Sequence, residues 1–133
     1  MNAEDLDTLA RTVFGEARGE PMQGKIAVAH VVMNRVRKQS WYGKTVKGVC
    51  THPYQFSCWN SNDPNLSKLT AVTADDKSFR LCLYAAIAAM DGLVPDPTSG
   101  STHYHSLSVA PSWAEGKGPV CTIGSHKFYN DVK

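Results

Sequence analysis

One segment limits the possible folds more than any other. Residues 24–36, Gly-Lys-Ile-Ala-Val-Ala-His-Val-Val-Met-Asn-Arg-Val, are apolar nearly all the way round a helical wheel. Such a helix has to be wrapped by the rest of the chain, with Pro21 placed like a first-turn proline ahead of it. The wrapping material can be read from spacing. Leu6, Leu9, Ala10, Val13 and Phe14 share one helical face, which predicts a helix from Ala3 to Phe14 or Glu16. Thr73 and Asp76 resemble a weakened capping box ahead of Phe79, Leu83, Ala86, Ile87 and Met90, with Gly92 as the stop, so a third helix is expected over 74–91. The chain has 133 residues and is 42% hydrophobic, enough for one self-supporting domain over 1–133.

The remaining stretches, 40–73 and 92–133, are rich in Gly, Pro, Asn and Ser and are expected to be long loops, the usual place for function. Short strands are expected within 101–106 and 120–129, where Thr, Tyr, Val and Ile gather. The expected class is therefore α+β, mostly helical with a short β region. A formal charge of +2 gives no reason to expect nucleic acid as a partner. No apolar run reaches the roughly 18 residues a membrane-spanning helix needs, so stable membrane binding is not expected, and a monomer is. Cys50, Cys58, Cys82 and Cys121 lack Cys-x-x-Cys spacing and read as free buried thiols, with a Cys50–Cys58 bridge as the alternative.

Three clusters carry chemistry. Phe14-Gly-Glu-Ala-Arg-Gly-Glu-Pro21 puts Glu16 and Glu20 at a helix junction. Burial beside a large apolar residue favours the protonated form of a carboxyl, the state a general acid needs, and Phe14 and the central helix are the expected source of that burial. The bland alternative is a solvated turn, with Glu20 capping the next helix and Arg18 paired to a neighbour. In His103-Tyr104-His105, strand alternation sends both imidazoles to one face, as in a metal site, a polar substrate cleft or plain structural packing. A zinc centre needs a third well-spaced ligand, which His30, His52, His126 and the cysteines do not supply, so no metal or other cofactor is expected. Tyr54-Gln-Phe-Ser-Cys-Trp59, followed by Asn60, Ser61 and Asn62, mixes rings with amides and hydroxyls, which suits the apolar faces and hydroxyl edges of sugars. Trp41, Trp113, Tyr104 and Tyr129 would widen such an aromatic groove, or else anchor a core.

Taken in order, Gly-Glu-Ala-Arg-Gly-Glu-Pro at 15–21, Val-Val-Met-Asn-Arg-Val at 31–36, Tyr-Gln-Phe-Ser-Cys-Trp at 54–59, His-Tyr-His at 103–105, Pro-Ser-Trp at 111–113 and Ile-Gly-Ser-His-Lys-Phe-Tyr at 123–129 resemble the SleB-like cell wall hydrolase family. That resemblance implies a lysozyme-like fold, similar to goose-type lysozymes and lytic transglycosylases, with peptidoglycan glycan strands as the partner. It makes Glu16 the catalytic acid and Glu20 a possible second carboxylate. Gln55, Phe56, Ser57 and Trp59, with His103, Tyr104 and His105 on the far wall, become the expected substrate-binding residues. The rival readings are a zinc peptidase built on His103 and His105, and a wall-binding module without catalysis. No signal peptide or wall-binding module is recognisable, and both absences favour a phage endolysin. Such a protein is made in the host cytoplasm and reaches the wall once the inner membrane is permeabilised.

Overall fold

The computed structural model describes residues 2–53 and 55–132; Tyr54, one of the aromatic residues singled out above, lies outside them. Among the described residues, five α-helices, α1 (Ala3–Ala17), α2 (Met22–Lys38), α3 (Val46–Thr51), α4 (Asn65–Ala71) and α5 (Lys77–Met90), precede a small sheet of β1 (His103–Ser106), β2 (Cys121–Ile123) and β3 (His126–Tyr129). The sheet is antiparallel with order β1-β3-β2. The all-round apolar helix is sandwiched. Val28, Ala29 and Val32 of α2 pack with Leu9, Ala10 and Val13 of α1 and with Phe79, Cys82 and Ala86 of α5. Ala27 and Val31, on its other side, pack against Ile123 and Phe128 of the sheet.

The three long helices fall where hydrophobic spacing predicts them, and their ends are set by local chemistry. Asn2 caps α1 by accepting from Glu4 N at 2.8 Å. Asp76 itself, rather than Thr73, caps α5, its Oδ1 accepting from Phe79 N at 3.1 Å. Thr73 instead takes Asp75 N at 3.3 Å, a turn one step upstream of the helix. Pro21 occupies the N-cap position of α2 and not its first turn.

The expectation of a continuous loop over 40–73 is wrong, since that stretch holds α3, α4 and the 3-10 turn Ser57–Trp59. Helices this short are marginal by propensity and leave too few periods to read. Burial of Val46, Val49 and Leu69 against the long helices stabilises them. The cysteines are free, and no Cys50–Cys58 bridge forms; Cys50, Cys58 and Cys82 are buried, but Cys121 is half-buried at the sheet. Burial pushes the Cys50 thiol up to about 12 and that of Cys82 to about 11, so both are inert near neutrality.

Candidate active site

Glu16 sits in the last turn of α1, half-buried. The preceding Gly15 has no side chain because there is no room for one: a β-carbon there would lie 2.7 Å from Cβ and Sγ of Cys58 and 2.8 Å from Leu69. This close seating brings the 3-10 turn, and the buried Phe56 just before it, up to Glu16. From the sheet, Tyr104 donates its hydroxyl to Glu16 Oε1 at 2.5 Å. Burial first, and then the adjacent Glu16 charge, raises the phenol well above its ordinary value, so it stays a neutral donor. The Tyr104 ring rests between Phe56 and Phe128, at centroid distances of 6.4 and 5.6 Å.

A recess of about 260 Å³ opens at Glu16, lined also by Arg35, Gln55, Phe56, Tyr104, His105, Ser106, Val109 and His126. Through Arg35, Gln55 and Tyr104 it continues into a second recess of about 330 Å³ walled by Trp41, His103 and Trp113. Past His105 and Val109 it meets a third, of about 460 Å³, bordered by Leu107, Pro111, Glu115 and Tyr129. The three recesses adjoin through these shared residues. Among the described residues Glu16 is the one carboxylate lining the first two.

Arg35 is the site residue that sequence spacing passed over. It is 4% exposed, its guanidinium lies over the rings of Tyr42 and Phe56 at 5.1 and 4.9 Å, and Nε donates to Thr102 O at 2.6 Å. A cation within the mostly apolar run 24–36, which also holds Lys25, is the signal available in the sequence. His126 was the other miss, weighed only as a metal ligand.

Of the expected substrate contacts, Gln55, Phe56, Tyr104 and His105 line the recess with Glu16, and His103 lines the adjoining one. Ser57 is exposed and lines none of the three. Trp59 is also elsewhere: its Nε1 donates to Thr12 Oγ1 at 2.9 Å, which turns the indole toward α1. It borders a separate depression with Asn60, Ser61 and Asn62. The 3-10 turn sends Phe56 and Trp59 to different sides, so the aromatic groove is made by Trp41, Trp113, Tyr104 and Tyr129 without Trp59.

His103 and His105 do share a face, both set against Trp113 with ring centroids 5.2 and 5.7 Å away. Burial, then Arg35 and Lys38, lowers the His103 imidazole to about 4. No group of three or more His, Cys, Asp or Glu side chains converges as a metal cage would among the described residues.

Phe14 is not the neighbour that buries Glu16. Two residues apart on a helix point to opposite sides, and Phe14 packs against Phe79 at 6.0 Å with Arg18 over its ring. Phe56 and Tyr104 surround the carboxyl instead. Arg18 is tied to Asn65 Oδ1 at 2.7 Å. Nor does Glu20 cap α2. Its Oε1 accepts from Ser125 N at 2.8 Å and its Oε2 from Ser125 Oγ at 2.5 Å, in the turn between β2 and β3. Despite some desolvation, these bonds, with His126 and Lys25 nearby, hold its carboxyl below the usual range. Gly124, at φ +58, leaves that turn open, since a β-carbon there would collide with Glu20 Oε1.

The sequence matches the Cell Wall Hydrolase family over residues 19–129. The chain belongs to that family. It is 32% identical over 127 residues to a spore cortex-lytic enzyme of Halalkalibacterium halodurans, a match covering 95% of this chain and 34% of the relative. It is 31% identical to the spore cortex-lytic enzyme of Bacillus subtilis, covering 93% of this chain and 37% of that one. The chain thus spans little more than a third of these relatives' length. Among solved structures, the catalytic domain of the Bacillus cereus SleB protein superposes with a TM-score of 0.76 at 29% identity, covering 96% of this chain and 90% of that one. The catalytic domain of the germination-specific lytic transglycosylase SleB from Bacillus anthracis matches equally well, with 95% of it covered. The lysozyme-like expectation for the fold holds. Glu16 falls just outside the family match and inside the longer alignments to the relatives.

The expected location and role are overturned. These relatives are spore cortex-lytic enzymes and not host-lysis endolysins. The endolysin reading rested on segments missing from the sequence, whereas a catalytic fold carries no record of what accompanies it.

Proposed function

We propose that this chain cleaves peptidoglycan glycan strands between N-acetylmuramic acid and N-acetylglucosamine as a lytic transglycosylase, with Glu16 as its single catalytic carboxyl. One observation carries the reading: among the described residues Glu16 is the only carboxylate lining the recess that Tyr104 and Phe56 enclose, while Glu20 is engaged by Ser125. A two-carboxylate glycosidase needs a second acid roughly 5–9.5 Å across the scissile bond. The relatives' activity on cortex makes peptidoglycan the polymer to try.

In this reading Glu16 donates its proton to the glycosidic oxygen as the C1–O bond breaks, and N-acetylglucosamine leaves with a free 4-hydroxyl. The muramoyl N-acetyl group stabilises the oxocarbenium-like centre. The Glu16 carboxylate then takes the proton of the C6 hydroxyl, whose oxygen bonds to C1 and closes the 1,6-anhydro ring. Tyr104 donates to the carboxylate between these steps and fixes the oxygen that acts. Arg35 and Gln55 offer polar groups, and Trp41 and Trp113 offer faces, to the sugars on either side.

Mass spectrometry of muropeptides released from purified spore cortex and vegetative wall tests this directly. Anhydromuramic ends are expected. Reducing muramic ends carrying oxygen-18 from labelled water would mean hydrolysis by a muramidase, and release of peptides with intact glycan would mean a peptidase.

A further inference from the structure

His126 lines the recess beside Glu16, yet nothing in the mechanism above uses it. The residue is 8% exposed, and its Nδ1 is buried without a hydrogen-bond partner. Glu20 Oε1 lies 3.7 Å from this nitrogen, within ion-pair reach but too long for a hydrogen bond. A buried polar atom left without a partner is costly and calls for an explanation, a functional role being one. Its ring meets Tyr104 edge to face at a centroid distance of 4.8 Å. Glu20 is itself clamped by two bonds from Ser125, the residue before His126.

We propose that Glu20 and His126 form a positioning pair for the catalytic carboxyl: Glu20, pinned by Ser125, orients the imidazole, and the imidazole holds the Tyr104 ring so that its hydroxyl stays on Glu16. This rests on the reading of Glu16 as the catalytic group. It gives the second glutamate of the motif a task other than acid or base. A small rotation of the imidazole toward Glu20 would close the 3.7 Å gap to a hydrogen bond.

The charge state agrees with a packing role. Burial lowers the His126 imidazole, and His105 lowers it further, against the opposing pull of Glu20 and Glu16. Neutral near pH 7, the ring can present an N–H to Glu20 without placing a cation beside Glu16. The polar and charged groups facing it are Glu16 from α1, Glu20 from the α1–α2 junction, and Tyr104 and His105 from β1.

The test is a double-mutant cycle of His126→Gln and Tyr104→Phe, read as anhydromuropeptide release, with Glu16→Gln alongside. Each single variant is expected to lower kcat about tenfold with KM within about twofold, because only the reacting geometry is disturbed. The double variant should be no slower than the worse single one, since the two residues act as a unit. Ser125→Ala, at an exposed position, loosens Glu20 without disturbing the core, and should lower kcat by about two- to fivefold with KM unchanged. Losses that multiply in the double variant, a raised KM with unchanged kcat, or full activity in Ser125→Ala would overturn the pair and leave the catalytic reading intact. An active Glu16→Gln protein would overturn both.

Discussion

Gly15 sets two physical effects against each other in the last turn of α1. By propensity alone, Gly15→Ala should stabilise α1 by about 1 kcal/mol, because glycine loses more backbone entropy in a helix than alanine does. The new β-carbon, however, would lie 2.7 Å from two atoms of Cys58 and 2.8 Å from Leu69. Neither neighbour can move away cheaply, being 1% and 0% exposed. Arg11 further fixes α4 by donating to the carbonyls of Leu69 and Val72 at 2.6 and 2.8 Å. Overpacking costs about 1–3 kcal/mol, and contacts from two rigid sides place this case near 2–3. The net is a destabilisation of about 1–2 kcal/mol. With an unfolding entropy of about 2.1 cal/mol/K per residue, the Tm falls by about 4–7 °C. Differential scanning calorimetry reads the shift, and muropeptide release on the same sample reads its effect on Glu16. A Tm equal to or above that of the parent protein would refute the close seating of α1 on the 57–59 turn.

Glu16→Gln should abolish muropeptide release while leaving the circular dichroism spectrum unchanged, a loss of at least about two orders of magnitude for removing a general acid. Tyr104→Phe removes the hydrogen bond that fixes the Glu16 carboxyl, so kcat should fall about tenfold in steady-state assays. Burial brings the folded His103 imidazole to about 4 against an ordinary 6.5, so the unfolded chain takes the proton first. Its contribution to stability is whole above pH 6.5 and is lost as pH falls toward about 4. Urea midpoints across that window should decline less steeply in His103→Gln. EDTA should leave the rate unchanged, because His103 and His105 converge on Trp113 with no third ligand among the described residues; activity lost to chelation and restored by zinc would reverse that reading.

Periodicity alone determined the helical skeleton. The spacing of Leu6 to Phe14, the apolar run 24–36 and the pattern 79–90 are local signals that place the three long helices, although α5 buries Phe79, Cys82, Ala85, Ala86, Ala88 and Ala89 and leaves Leu83, Ile87 and Met90 half-buried. The ordered motifs likewise pointed to the family, because a fold and its site preserve residue types at fixed separations. Contacts between distant segments stayed hidden. That α2 is covered by helices on one side and a sheet on the other decides where Arg35 can serve the cleft, and no local pattern encodes that neighbourhood. The same holds for the two glutamates. In sequence they are equivalent acids four residues apart, but folding brings Tyr104 to Glu16 and Ser125 to Glu20, partners 88 and 105 residues away along the chain. Side-chain roles follow from such partners, and it is packing of the sheet against α2 that selects them.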